Sequence, residues 1–405
     1  MADGRKLSRD VVAPPVKLSR DVVALGWVSF FTDVSSEMIV PLLPLFLTSV
    51  LGAGALALGF VEGFADAVAS ILKLFSGRWA DRAGRCRPFV VGGYGLSALA
   101  RPLVALATAP WHVVLVRALD RTGKGIRTSP RDAMIAAVTS DADRGRAYGF
   151  HRAMDHAGAM TGPLCAVLLL RYATSDLRTI FWLAAIPGAI AFLVLLTRVR
   201  EPAGPKPAAR ELPWRSSLPD RALLRLLVPL AIFGLGNSSD LFLLLNVGAH
   251  GTGPIELSFL WIGLHAVKSL ASLRSGALAD RLGTLPLVVA GWAVYAAVYA
   301  SLAFATERTT IIALCLVYGL YHGLTEGAEK ALISRIATPA RVGSAFGWYH
   351  LTVGLVALPA SLVFGTIWSG FGSTAAFLSG AVLAVLAAVA LLVLRPRPHA
   401  HATAQ

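Results

Sequence analysis

Charged residues are scarce in this sequence of 405 residues: only 15% are Asp, Glu, Lys or Arg, while 56% are hydrophobic. Soluble domains carry roughly a quarter charged residues, because polar side chains must coat their cores. The shortage therefore excludes an ordinary soluble domain. It favours a chain surrounded by lipid, in which each helical span needs about 20 mainly apolar residues.

Cysteine is also rare, and acidic residues are outnumbered by basic ones. Cys86, Cys165 and Cys315 lie far apart and follow no metal-binding or redox spacing, so the sequence predicts no metal centre and no cofactor. The net charge is +14, which in a soluble protein would suggest a nucleic-acid partner. The placement of the basic residues decides between nucleic acid and membrane.

Long apolar runs are what the sequence has in abundance. Twelve candidate spans follow from windows of about 20 apolar residues. They cover 22–49, 55–76, 88–108, 110–137, 147–170, 178–198, 221–246, 255–275, 285–305, 309–334, 344–369 and 373–394. The connections are short except at 198–221, which is rich in Pro and basic residues and is typical of a linker.

Basic residues concentrate on one side of the predicted membrane. With the N-terminus in the cytoplasm, 24 Lys and Arg residues fall in cytoplasmic segments and 3 on the opposite side. This bias explains the positive charge without nucleic acid. It predicts a multi-pass protein of the cytoplasmic membrane with tails at 1–21 and 395–405, halves at 22–198 and 221–394, and a linker at 199–220, both termini and the linker being cytoplasmic.

The sequence also repeats itself. "SGRWADRAG" at 76–84 answers "SGALADRLG" at 275–283, an offset of 199 residues, and the segments around Gly149 and Gly347 are similar at an offset of 198. Two six-helix halves are therefore expected. Parallel halves of this kind occur in secondary transporters, whose substrate site lies between them near the middle of the membrane.

Three motifs resemble those of the major facilitator superfamily, and the resemblance covers essentially the whole chain. "GRWADRAGRCR" from Gly77 resembles its loop motif after helix 2, and "GALADRLG" is the second copy. "RALDRTGKG" from Arg117 resembles its helix 4 motif, with departures at Asp120 and Arg121. The resemblance implies an all-α integral membrane protein with twelve transmembrane helices in two six-helix pseudo-repeats, working by alternating access as a monomer.

In this family the loop aspartate and its basic neighbours lock the cytoplasmic side. The resemblance assigns that gate to Asp81, Arg82 and Arg85, with Arg144 as partner, and to Asp280 and Arg281 in the second half. Asp132, expected at the cytoplasmic edge of span 4, is grouped with them. For Arg85 the alternative is that loop bases only set the topology.

"GAMTGP", from Gly158 through Gly162 to Pro163, resembles the helix 5 motif of proton-coupled exporters. The two glycines expected shortly after it are absent, since Cys165 and Ala166 stand there. The motif favours export. The alternative is that its glycines simply allow close helix packing.

The fourth span carries seven charges within 117–132, in the stretch "RALDRTGKGIRTSPRD". A phosphate loop is excluded, because it needs G-x-x-x-x-G-K-[ST]. At 100° per residue all seven charges fall within a 140° arc. Each would cost at least ~2.5 kcal/mol at mid-bilayer. This face must therefore border protein or a water-filled cavity.

Other intramembrane charges could complete a site for substrate and coupling protons. Asp33 and Glu37 of span 1 and Glu62 and Asp66 of span 2 are expected to pair with the bases of span 4. Glu326 and Lys330, four residues apart, are expected to pair with each other. The predicted set is Asp33, Glu37, Glu62, Asp66, Arg117, Asp120, Arg121, Lys124, Asp155, His156, Asp240, Glu326 and Lys330. A purely structural network is the alternative interpretation.

The sequence as a whole predicts a secondary transporter that moves a small organic solute across the cytoplasmic membrane, by proton-coupled efflux. The excess of fixed cations in span 4 hints at an anionic or chelating solute. An alternative is the transport of a metal ion or a siderophore-like metal chelate, and another is a membrane receptor without transport. An enzyme is not expected, since no nucleophile–base pair stands out.

Overall fold

The computed structural model describes residues 18–52, 55–202 and 217–396, with side chains throughout except at 55–67, 254 and 255. These ranges are helical and contain no strand. We number the helical spans α1 Arg20–Val50, α2 Ala55–Ala83, α3 Arg87–Leu106, α4 Pro110–Ala137, α5 Arg144–Tyr172, α6 Leu177–Arg198, α7 Arg221–Ala249, α8 Pro254–Leu282, α9 Thr284–Leu302, α10 Arg308–Ile336, α11 342–371 and α12 373–394.

Eight stretches of the described chain are long and apolar enough to cross a membrane. Three further helices of 28 or 29 residues, α2, α4 and α8, are long enough but carry more charge. The last stretch divides at Gly372, whose φ of 88° breaks the helix. Because the left-handed region suits glycine, α11 and α12 separate there. Twelve helical spans in the described chain agree with the predicted number, and the all-α fold class is confirmed.

Two corresponding spans are not continuous helices. In α1 the regular helix ends at Glu37, and Pro41 and Pro44 accompany short 3₁₀ and π segments, because proline removes an N–H and restricts φ. In α7 the helix ends at Gly236 and resumes at Leu241. The predicted span at 221–246 agrees with the stretch Arg221–Ala249, and the structure adds a break within it. In the Asn-Ser-Ser-Asp run there, the Ser239 hydroxyl accepts from the backbone N–H of Leu241, and such local bonds compete with helix formation.

The first six helices meet the last six through two close helix pairs, α2 with α11 and α5 with α8. Both pairs use glycine. A Cβ on Gly276 would lie 2.6 Å from the carbonyl oxygen of Gly145, and one on Gly343 would lie 2.5 Å from that of Gly77. Small residues allow helix backbones to approach this closely. These contacts lie at the end of the bundle where α1 begins, which we call the lower end.

Candidate functional site

A polar cavity of about 310 Å³ lies between the two halves. Its walls come from α1 to α5 in the first half and from α10 and α11 in the second. Asp33 on its wall is roughly 20 Å along α1 from the lower end, which is mid-depth in a bilayer. Six basic and three acidic residues line it: Lys73, Lys124, Arg127, Arg131, Arg152, Lys330, Asp33, Asp155 and Glu326.

Asp132 of α4 joins the two halves below this cavity. Its side chain is fully buried, and one oxygen accepts from Arg131 at 3.0 Å. The other oxygen lies 3.0 Å from Lys330 Nζ of α10 and 2.9 Å from His350 Nε2 of α11. The backbone carbonyl of Asp132 accepts from Tyr148 of α5. The side chain and backbone carbonyl of this one residue therefore connect four helices.

Glu326 of α10 forms a second junction on the cavity wall. Arg152 of α5 reaches it at 2.6 Å, and His156 of the same helix reaches it at 2.8 Å. His322, one turn away on α10, lies 3.3 Å from its other oxygen. The predicted pair of Glu326 with Lys330 does not form. Each side chain reaches across the interface to a partner in the first half instead.

Arg152 continues this network into the first half. It pairs with Asp155 at 2.7 Å, and Asp155 accepts from the hydroxyl of Ser29 on α1. Asp155 and His156 thus belong to one polar cluster, although their side chains have different partners. This cluster includes groups from α1, α5 and α10.

Asp240 stands at the break in α7 and lies in the second half. Lys268 of α8 approaches it at 2.7 Å, the hydroxyl of Tyr318 donates to it at 2.7 Å, and His322 lies 3.9 Å away. Non-helical backbone within a membrane is tolerated where the surrounding protein covers it. Among the side chains that the structure describes, no group of three or more His, Cys, Asp or Glu is placed to hold a metal ion.

The upper part of α4 forms a separate buried cluster. Asp120 pairs with Arg101 of α3 at 2.9 Å and with Arg117 at 3.5 Å. These residues surround a water-sized cavity of about 10 Å³ and do not line the large one. Among the described side chains, Asp120 on α4 itself is the carboxylate of this cluster. The predicted pairing of the bases of α4 with acids of α1 and α2 stays a prediction.

The remaining members of the predicted site are spread along three helices. Asp33 and Lys124 line the cavity. Glu37 and Arg121 are half-buried on α1 and α4. Glu62 and Asp66 fall outside the side chains that the structure describes, so their predicted pairing stays a prediction.

The gate residues show a reciprocal arrangement at the lower end. Asp81 accepts from the backbone N–H groups of Gly343 and Ser344, at 2.9 and 2.6 Å, where α11 begins. Asp280 accepts from those of Gly145 and Arg146, both at 2.8 Å, where α5 begins. A carboxylate satisfies the unpaired N–H groups and the positive dipole of a helix start. Each half thus caps a helix of the other.

The basic members of the predicted gate are arranged differently. Arg144 does not contact Asp81; it pairs with Asp141 at 2.8 Å and donates to the carbonyl of Ser334 in α10. Arg335, which the sequence analysis did not single out, lies 3.2 Å from Asp280. Arg144 is the first residue of α5, the helix start that Asp280 caps, and it therefore lies near Asp280 rather than near Asp81. Arg82, Arg85 and Arg281 are exposed at this end.

The exporter-like glycines of α5 pack against α1. A Cβ on Gly158 would lie 2.5 Å from the carbonyl oxygen of Phe30, and one on Gly162 would lie 2.6 Å from the Cβ of Glu37. Pro163 follows within the helix. This geometry supports the packing interpretation of the motif.

Replacing Gly162 with leucine is expected to destabilise the protein by at least ~1–3 kcal/mol, because the new side chain must push α5 from α1. Thermal unfolding of the purified protein in detergent measures the effect. The matched control is Gly92→Leu, since Gly92 is an exposed helical glycine and a Cβ added to it would meet nothing within 4 Å. Equal melting temperatures for the two variants would contradict the expectation.

Sequence comparison identifies the family to which these features belong. The family model described as Major Facilitator Superfamily matches residues 25–264 and 247–405. An MFS-type transporter of Methanocaldococcus jannaschii is 33% identical over 385 residues, which are 93% of this chain and 95% of that protein. The chain therefore belongs to the Major Facilitator Superfamily and is a multi-pass membrane transporter.

Further similarities are partial in sequence or limited to the fold. Multidrug resistance protein MdtH of Photorhabdus laumondii is 34% identical over 148 residues, 36% of each chain. The crystal structure of the human organic anion transporter MFSD10 superposes with a TM-score of 0.78 at 16% identity, over 93% of this chain and 100% of that one. A bacterial homologue of the iron transporter ferroportin, in an outward-facing state, gives 0.75 at 15% identity, over 94% and 100%. These two identities show the fold alone.

Proposed function

We propose that this transporter exports a small organic anion in exchange for protons, by alternating access in the cytoplasmic membrane. The halves at 22–198 and 221–394 would rock about the cavity as a monomer. The lower end, the linker at 199–220 and the tails at 1–21 and 395–405 would face the cytoplasm. The observation that carries the proposal is the cavity of about 310 Å³ between the halves.

The cavity suits an anionic organic solute in size and charge. Its volume lies at the lower end of the range for small-molecule sites, roughly 300–1,000 Å³. Its lining carries six basic side chains against three acidic ones. The likeness of one segment to a multidrug resistance protein favours efflux. The fold likeness to an organic anion transporter agrees with the charge of the lining.

Glu326 is the residue we assign to proton coupling. In this state Arg152 of the other half neutralises its charge, and His156 lies within hydrogen-bond distance of it. When the halves separate, Arg152 withdraws, and the ionised carboxylate is left without its opposite charge inside the membrane, which is costly. Taking up a proton removes that cost. Proton binding would therefore accompany the change of state. One proton moving inward down 100 mV releases about 2.3 kcal/mol, and a singly charged anion moving outward releases about as much again.

Glutamine at position 326 is expected to lower anion-driven proton flux at least about tenfold, because the amide cannot carry the proton. Proteoliposomes that contain the dye pyranine report the pH change after organic anions are added from a panel. Exchange of solute without a pH gradient should persist in the variant. The control is Glu256→Gln, since Glu256 also pairs with an arginine, Arg308, but is exposed outside the cavity.

Normal proton flux in Glu326→Gln would contradict the coupling assignment. Absence of proton movement in the wild type with every anion of the panel would contradict the proposed function. A parallel arm adds Fe²⁺, Co²⁺ or Zn²⁺ in place of the anions. Proton movement only in that arm would favour the metal-transport alternative.

A further inference from the structure

Arg127 of α4 is a buried cation on the cavity wall with an unusual set of partners. The neighbouring bases Arg131 and Lys330 share the carboxylate of Asp132, and Arg152 pairs with Asp155 and Glu326. Arg127 forms no ion pair with any carboxylate among the described side chains. Its exposed fraction is only 4%.

The groups that Arg127 contacts directly are polar or aromatic but uncharged. Its Nη1 donates to the hydroxyl of Ser97 at 2.5 Å and to the carbonyl of Gly93 at 3.5 Å, both in α3. Its guanidinium carbon lies 4.4 Å from the ring centre of Tyr94. Its Nε is buried without a hydrogen-bond acceptor. The guanidinium is thus positioned by α3, while part of its hydrogen-bonding capacity is unused.

Carboxylates on its own helix are committed elsewhere. Asp120 lies two turns away, roughly 10 Å along the axis, and pairs with Arg101 and Arg117. Asp132 is surrounded by Arg131, Lys330 and His350. The structure therefore provides Arg127 with no counter-ion from the described part of the chain, although an uncompensated buried charge is costly.

We propose that Arg127 binds a carboxylate group of the transported solute, with Tyr94 and Ser97 holding the guanidinium in place. The planar guanidinium matches a carboxylate with two parallel hydrogen bonds, and its free Nε is one of the donors that such a pair needs. Lys cannot reproduce that geometry. This inference rests on the proposed function, since it names the group that the cavity recognises.

Binding is tested without flux or a gradient, on the purified full-length protein in detergent. Benzoate and citrate are the probes, benzamide is the uncharged counterpart of benzoate, and melting temperature is followed against concentration. We expect at least one of the two anions to stabilise the wild type, and benzamide to have no effect. Arg127→Gln should weaken the apparent affinity about tenfold or more. Arg127→Lys should give an intermediate value.

The matched control is Arg178→Gln. Arg178 also lies over an aromatic ring, that of Phe46 at 5.2 Å, and donates to a backbone carbonyl, but it does not line the cavity. The Arg178→Gln variant should bind the anions with the same affinity as the wild type. If Arg127→Gln fails to fold, the affinity of Arg127→Lys decides.

Three results would overturn this inference: the same anion affinity in the wild type and the position 127 variants, equal stabilisation by benzamide, or no stabilisation of the wild type by either anion. Loss of coupling in the flux experiment leaves this binding experiment unaffected. A failure of the proposed proton exchange and a failure of the carboxylate site are therefore distinguishable.

Discussion

Alanine in place of Asp132 is expected to destabilise the protein by about 3–5 kcal/mol, because removing one partner of a buried ion pair leaves the other charges uncompensated. Arg131 and Lys330 both lie within 3.0 Å of this carboxylate, and His350 lies at 2.9 Å. Asp132 itself is fully buried, so it contributes its charge inside the protein rather than at the surface. Thermal unfolding in detergent and the yield of folded protein measure the loss.

Lys330→Met in the Asp132→Ala background provides the internal check. Removing the second charge should restore part of the lost stability, since apolar replacements of a whole buried pair are often tolerated. The exposed pair of Glu256 and Arg308 supplies the comparison, because exposed pairs contribute at most ~1 kcal/mol. A melting temperature of Asp132→Ala equal to that of Glu256→Ala would show that Asp132 is not a structural junction.

Loss of both gate aspartates is expected to open the lower end. Asp81 and Asp280 each accept two backbone N–H groups at the start of a helix in the other half. Removing a cap costs typically ~1 kcal/mol and up to ~2 kcal/mol. The double variant Asp81→Ala, Asp280→Ala should therefore shift the equilibrium away from the closed lower end by roughly 30-fold to nearly 1,000-fold.

The shift can be followed by labelling from the lower side. A cysteine introduced at Val353, on the cavity wall, reports access of a membrane-impermeant maleimide in vesicles of known orientation, once the free Cys86, Cys165 and Cys315 have been replaced with serine. Labelling should rise in the double variant and reach an intermediate level in Asp81→Asn, because asparagine still accepts one hydrogen bond. Unchanged labelling together with unchanged flux would show that these caps do not hold the lower end closed.

The apolar spans and the internal repeat could be predicted because they depend on local signals, whereas the gate role of Asp81 and Asp280 came from the family resemblance and stays a prediction. A sufficiently long apolar run predicts a membrane helix independently of its neighbours. The correspondence of Asp81 and Asp280 is visible in the two similar sequence segments that contain them. The cost of placing charge in lipid also predicted that the charged face of α4 borders protein or a water-filled cavity. Arg117, Asp120 and Asp132 are buried, and Lys124, Arg127 and Arg131 line the cavity.

The individual pairs could not be predicted, because they depend on which helices become neighbours. Glu326 and Lys330 have the right spacing for each other, but α4 and α5 offer each a partner of opposite charge across the interface. Arg101 lies on α3 and Asp120 on α4, so no spacing rule within a single helix could link them. The break in α7 did have a signal, the run Asn-Ser-Ser-Asp after Gly236, which the apolar average of the span concealed.

The crossed capping of α5 and α11 bears on how such a molecule could be divided. In each six-helix unit, one helix starts with backbone N–H groups whose hydrogen-bond acceptor is an aspartate of the other unit. A unit produced alone would leave those amides without the intended carboxylate and would expose the glycine surface built for close contact. Each unit is thus expected to need the other in order to fold, as the protomers of an obligate dimer do.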